Sequence, residues 1–182
     1  KCLTYPATCS SDPNFFLISS HKLVIPQLMI KNKYLSLVLI LLITFIASAI
    51  GGFTTAAFKE PWYSEIILPS FNPPSWVFAP VWTTLYILMS IAIWRIWIKF
   101  FDFKILSIYY FHLLFNATWS VVFFGFHQIE LALINIIIIL IFIIVLMRIY
   151  LKKDKLSFFL MVPYFLWTFY ALALNLAITI LN

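Results

Sequence analysis

Long apolar runs alternate with short polar connections along this chain, and that alternation carries most of its architecture. A helix needs about 20 apolar residues to cross a hydrocarbon core. Five runs reach that length, at 34–58, 76–98, 105–126, 131–150 and 156–181. Stretches such as 136–144 are apolar all round, so length and charged flanks define these elements and periodicity does not. A membrane β-barrel would instead show short segments alternating with period two. The sequence therefore predicts an all-α membrane protein, a bundle of five transmembrane helices. The connections at 101–104, 127–130 and 152–155 are tight, which predicts that successive helices are antiparallel neighbours. Only 59–75 is long enough to carry structure of its own, as a structured first loop.

The segment ahead of the first span reads differently. Residues 1–28 contain Cys2, Cys9, Pro6, Pro13 and Pro26, with no run able to cross a bilayer. Met29 is followed by Lys31, Lys33 and the first span, which reads as a natural basic start. Residues 1–28 are therefore assigned to a disordered extension or a mis-annotated start, and 29–182 to the transmembrane domain. A targeting peptide is the alternative, but Lys22 is the only basic residue there besides Lys1, too few for a transit sequence.

Composition narrows the class. The chain is 64% hydrophobic, 20% aromatic and 10% charged, whereas a soluble domain is near half apolar and a quarter charged. That excludes a soluble enzyme, a disordered linker and a nucleic-acid-binding domain. The formal charge of +6 sits in short clusters between apolar runs, so the lipid bilayer is the expected partner and nucleic acid is not. Both cysteines lie outside every apolar run, so no disulfide framework or metal-binding pair can be argued. Three glycines exclude a Gly-rich phosphate loop.

Charge also orients the bundle. With five spans, the amino terminus and the second-to-third and fourth-to-fifth connections share one side. That side carries Lys1, Lys22, Lys31, Lys33, Arg95, Lys99, Lys104, Arg148, Lys152, Lys153 and Lys155; the other carries Lys59, with Glu60, Glu65 and Glu130. The positive-inside rule makes the first side cytoplasmic. The amino terminus is then inside, and the long loop and carboxyl terminus outside. The membrane is read as a bacterial cell membrane, or an organelle membrane in a eukaryote.

No catalytic constellation stands out. His21, His112 and His127 have no cysteine or carboxylate at ligand spacing, so no metal site is assigned, and His112 reads as an interfacial or helix-packing residue. No Asp or Glu lies well inside a span, which argues against an ion-driven pump. Aromatic and amide chemistry remains, suited to a flat, apolar ligand. On the second span Trp82, Tyr86, Met89 and Ile93 recur at helical spacing; on the third, Asn116, Trp119 and Phe123; on the fifth, Trp167, Ala171 and Asn175, with Pro163 and Tyr164 a turn earlier. Three helices thus present a large aromatic beside an amide or small residue, the makings of an apolar pocket with a few orienting polar groups. Packing and hydrogen bonding between helices is the competing reading. In the 59–75 loop, Pro61, Pro69, Pro73 and Pro74 make a stiff cover, with a short helix over 62–68 started by Pro61. On the first span Ala47, Gly51 and Thr55, and Ser48, Gly52 and Ala56, form two small-residue ladders. These read as packing surfaces, within the bundle or in a homodimer.

The loop and the spans after it carry a resemblance. Pro61-Trp62-Tyr63, Leu68-Pro69-Ser70, Pro73-Pro74, Trp76, Pro80-Val81-Trp82 and Leu85-Tyr86 continue through Asn116, Trp119-Ser120 and Phe123-Phe124-Gly125. The set ends with Pro163-Tyr164, Trp167, Ala171 and Leu174-Asn175. In this order, from about residue 50 to 182, it resembles the tryptophan-rich sensory protein family. That family includes the mitochondrial translocator protein, or peripheral-type benzodiazepine receptor. The resemblance implies a five-helix bundle with a pocket lidded by the first loop. It also implies binding of porphyrins such as protoporphyrin IX, and of isoquinoline carboxamide and benzodiazepine drugs. By motif position Trp82, Tyr86, Asn116, Trp119, Trp167 and Ala171 fall on the family's pocket, and Tyr63 and Pro73 on its lid. Trp82 and Trp167 match the tryptophans implicated in light-dependent porphyrin breakdown. Phe71 stands where the family usually has Trp, and no Tyr, Lys or Arg follows Tyr170 to supply the family's sterol pattern. The expectation is a porphyrin-binding sensor or regulator that requires no cofactor. A membrane enzyme that degrades porphyrin and a transporter of small apolar ligands are the alternatives.

Overall fold

The computed structural model describes residues 32–182, so the reading of residues 1–28, with Cys2 and Cys9, falls outside it. Six helices account for most of the described chain: α1 (Lys33–Phe58), α2 (Trp62–Glu65), α3 (Phe78–Phe100), α4 (Phe103–Ser120), α5 (Ile129–Lys153) and α6 (Lys155–Leu181). A 3₁₀ turn, Ser75–Val77, leads into α3, and a π-helical turn, Val121–Gly125, extends α4. All but α2 are long and apolar enough to cross a membrane. The protein is an integral, multi-pass membrane protein with an all-α fold.

Side-chain caps fix three helix starts. Asn32 accepts from the backbone N–H groups of Tyr34 and Leu35 ahead of α1. Asp102 accepts from Lys104 and Ile105 ahead of α4, and Asp154 from Ser157 ahead of α6. Each cap satisfies donors that a first helical turn leaves free. Pro80 lies within the first turn of α3, where its missing N–H costs nothing, and Pro163 lies inside α6.

The helices close a ring in the order α1, α3, α6, α5, α4 and back to α1. α4, α5 and α6 pack as successive neighbours, as their tight turns predict. α3 and α4 do not: joined by a two-residue turn, they part because α1 packs against both. The half of the bundle that holds the start of α1 and the α3–α4 and α5–α6 turns is solid. There Ile40, Met89, Trp97, Tyr109, Leu146, Tyr150 and Met161 are buried in one cluster. The outer surface shows Phe53, Phe111, Leu114, Leu166, Phe169 and Ile180, as suits helices whose solvent is lipid and whose backbone polar groups are bonded within each helix.

Candidate functional site

The half of the bundle beneath the 59–75 loop encloses a cavity of about 550 Å³. Its walls come from residues 48–56 of α1, 78–86 of α3, 116–124 of α4 and its π turn, 136–139 of α5, and 167–178 of α6. Lys59, Glu60, Tyr63 and Ser75 lie at the mouth. The five spanning helices all contribute. Trp82, Tyr86, Asn116, Trp119, Trp167 and Ala171, chosen from helical spacing and motif position, all line this one space, and Tyr63 lines it from the loop. Pro73 is not part of the wall.

Aromatic packing holds the walls. Trp82 stacks on Tyr86, centroids 5.5 Å apart, and meets Tyr164 edge-on. Trp119 stacks on Phe123 at 5.0 Å, and Trp167 meets Phe78 edge-on at 6.1 Å. Such pairs fix ring planes as well as burying area.

A buried polar chain runs across the floor. The Tyr86 hydroxyl donates to Asn116 Oδ1 at 2.6 Å, Asn116 Nδ2 donates to the Tyr164 hydroxyl at 3.0 Å, and that hydroxyl bonds His112 Nε2 at 2.6 Å. Asn116 thus bridges α3 and α6 with both ends of its amide. His112 is fully buried; helical spacing alone gave no sign of its partner.

The first helix is the residue set that sequence reasoning placed elsewhere. Gly51 packs α1 on α4, where a Cβ would stand 3.1 Å from Ser120 Oγ; a Cβ on Gly52 would meet nothing within 4 Å. Gly52, Ala56, Ala79 and Thr83 are exposed, yet line the cavity. One ladder therefore packs while the other edges a seam between α1 and α3. A stripe of small residues looks the same in sequence whether it receives a helix or leaves room beside it.

The loop covers the mouth. Trp62 does not reach the cavity wall; it stacks on His127 at 4.5 Å and meets Phe123 edge-on, fastening α2 to the turn between α4 and α5. Tyr63 donates to Asn72 Oδ1 at 3.2 Å, and burial pushes its hydroxyl above the ordinary tyrosine value. The Tyr170 hydroxyl donates to the Phe71 carbonyl at 2.6 Å. The Asn182 amide clamps Ile67, its Oδ1 accepting from the N–H at 2.9 Å and its Nδ2 donating to the carbonyl at 3.0 Å. Among the described residues, no group of His, Cys, Asp and Glu is placed to hold a metal ion.

The sequence model of the TspO/MBR family matches residues 38–181. The chain belongs to that family. It is 36% identical over 134 residues to the tryptophan-rich protein TspO of Archaeoglobus fulgidus, covering 72% of this chain and 87% of that one. It is 35% identical over 144 residues to the tryptophan-rich sensory protein of Cereibacter sphaeroides, covering 78% and 91%. With the human translocator protein it shares 31% identity over 103 residues, 52% of this chain and 61% of that one. The TspO/MBR match spans all five membrane helices and every cavity-lining segment named above.

Proposed function

We propose that this TspO/MBR protein binds a porphyrin or a similar flat apolar molecule in the outer cavity, as a membrane sensor or regulator of tetrapyrrole. The observation that carries the reading is that Trp82, Trp119 and Trp167, from three helices, face one cavity of about 550 Å³, within the size range of small-molecule sites. Flat indole and phenol walls suit a planar conjugated ring, and the Tyr63 loop excludes water above it. Protoporphyrin IX should quench tryptophan fluorescence saturably in the purified protein. Trp167→Phe keeps an apolar ring but removes the indole, so affinity should fall by about tenfold or less, roughly 1.4 kcal/mol. Linear, unsaturable quenching by wild type would overturn the reading.

A second reading draws on Trp82 and Trp167 both lining the cavity: light-dependent breakdown of the bound porphyrin. Illumination of the complex separates the two. Loss of porphyrin absorbance faster than in detergent alone, abolished in Trp82→Phe, Trp167→Phe, favours the enzyme; binding without accelerated loss favours the sensor.

A further inference from the structure

Three buried polar side chains on the cavity wall, Asn175, Trp119 and Thr168, have a group with no hydrogen-bond partner among the described residues. Asn175 on α6 is 2% exposed, and neither its Nδ2 nor its Oδ1 has a hydrogen-bond partner among the described residues. The Trp119 indole N–H is buried and equally unpaired. Both residues line the cavity. Each lies about two helical turns from the outer end of its element, Asn175 from Leu181 and Trp119 from Gly125. Trp119 packs against the cluster of Phe123, Phe124, Leu174 and Ile178, which brings it to the stretch of α6 that carries Asn175. Buried polar atoms are almost always bonded, and each exception calls for a reason.

The contrast with Asn116 sharpens the point. That amide, on the same cavity, has both ends occupied by tyrosines and stands ready as part of the scaffold. Asn175 is ready for something else. Its carbonyl oxygen calls for a donor, and its NH₂, with the Trp119 N–H, for an acceptor. Charge is not called for: among the described residues Lys59 and Glu60, at the mouth, are the only charged ones in the wall, so an ion beside Asn175 would be left uncompensated in an apolar setting.

We propose that Asn175 and Trp119 form a hydrogen-bonding pole that takes one uncharged carboxyl or carboxamide group of the ligand. The carbonyl of that group accepts from Trp119 Nε1 and Asn175 Nδ2, and its O–H or N–H donates to Asn175 Oδ1. The pole fixes which end of a flat, apolar ligand enters first, and it selects acids and amides over hydrocarbons of the same shape. This rests on the porphyrin-binding reading above, and it adds the functional group by which the cavity chooses among such rings.

Protoporphyrin IX and its dimethyl ester provide the test, since the ester keeps the ring and the carbonyls but lacks the O–H. Each is titrated by tryptophan quenching into wild type and Asn175→Leu, and the thermal stability of each empty protein is measured alongside. Leu matches Asn in shape and removes two unpaired atoms, so the empty variant should unfold at the same temperature or higher. Its affinity for the acid should fall at least tenfold and that for the ester by less, because the ester loses the Nδ2 donor but has no O–H to give to Oδ1. Trp119→Phe should weaken acid and ester alike, because both carbonyls use the indole N–H. Asn175→Leu that binds the acid as wild type does, or that unfolds at a lower temperature when empty, overturns the pole. Wild type that binds neither probe overturns the porphyrin reading itself and the pole with it.

Discussion

At the end of the bundle that holds the α3–α4 and α5–α6 turns, Asp154 gathers more donors than any other carboxylate in the described chain. Arg95 Nε donates to it at 2.9 Å, Lys99 Nζ at 2.8 Å and Ser157 Oγ at 2.7 Å. One side chain therefore caps α6 and ties the turn between α5 and α6 to α3. Burial alone would raise its carboxyl, but the hydrogen bonds from Arg95, Lys99 and Ser157, with the guanidinium charge, outweigh that and hold it well below the ordinary carboxylate range. On acidification the unfolded chain then takes up the proton first, so this contribution is whole above about pH 4–5 and drains away as pH falls further. Asp154→Asn should destabilise the protein by about 1–3 kcal/mol at pH 7, and the gap to wild type should close as pH falls toward 3. Thermal unfolding in detergent across that range checks both, and a gap independent of pH would refute the charge assignment. In the sequence Asp154 is one acid among three lysines, Lys152, Lys153 and Lys155, and nothing local names Arg95 as its partner. Asn116 and Asn175 make the same point: both sit at helical spacing from a tryptophan, and only tertiary structure shows that one amide is engaged and the other free.

The 59–75 segment shows what an element's sequence can and cannot say. Its four prolines announce a stiff loop, and Pro61 correctly marks the start of a short helix, though that helix ends at Glu65. Its fastenings are invisible in the sequence, because each partner is distant: Trp62 on His127, Phe71 under Tyr170 and Ile67 on Asn182. The π turn is equally silent. Val121–Gly125 reads as one more apolar stretch, yet the Phe126 N–H bonds the Val121 carbonyl at 2.9 Å and widens the helix beside the cavity, a place where such turns often serve function. Asn182→Ala with Tyr170→Phe should release the loop while leaving the bundle packed. Hydrogen exchange at the Ile67 amide should quicken at least tenfold, with core amides unchanged. Porphyrin dissociation, followed by stopped-flow quenching, should speed up several-fold while association stays within a few-fold. Unchanged exchange at Ile67 would show that other contacts hold the loop.

For the molecule as a whole, five apolar runs and their charged ends were enough to give the helix count and every connection. Helix ends came within about three residues once the π turn Val121–Gly125 is counted with α4, because caps such as Asn32, Asp102 and Asp154 and the leading 3₁₀ turn extend the apolar runs. The ring order was not legible, since lipid-facing and core-facing residues are equally apolar and tight turns say nothing of what α1 packs against. The charges also carry a prediction of orientation. In a cysteine-free background, cysteine at Ser70 should react with an impermeant thiol reagent in intact cells, and cysteine at Lys104 only after lysis; the opposite pattern would invert the protein. The packed floor then acquires a meaning of its own. Trp97, Tyr109, Tyr150 and their neighbours, each nearly or fully buried, seal the bundle below the cavity, so the protein in this conformation is a cup and not a tunnel. On the binding reading proposed above, such a cup would fill and empty at its lip, along the loop or the α1–α3 seam, on the side where its mouth lies. On the sensor reading proposed above, what such a vessel would pass to the far side is the news that it is full, carried by helices that run from lip to base.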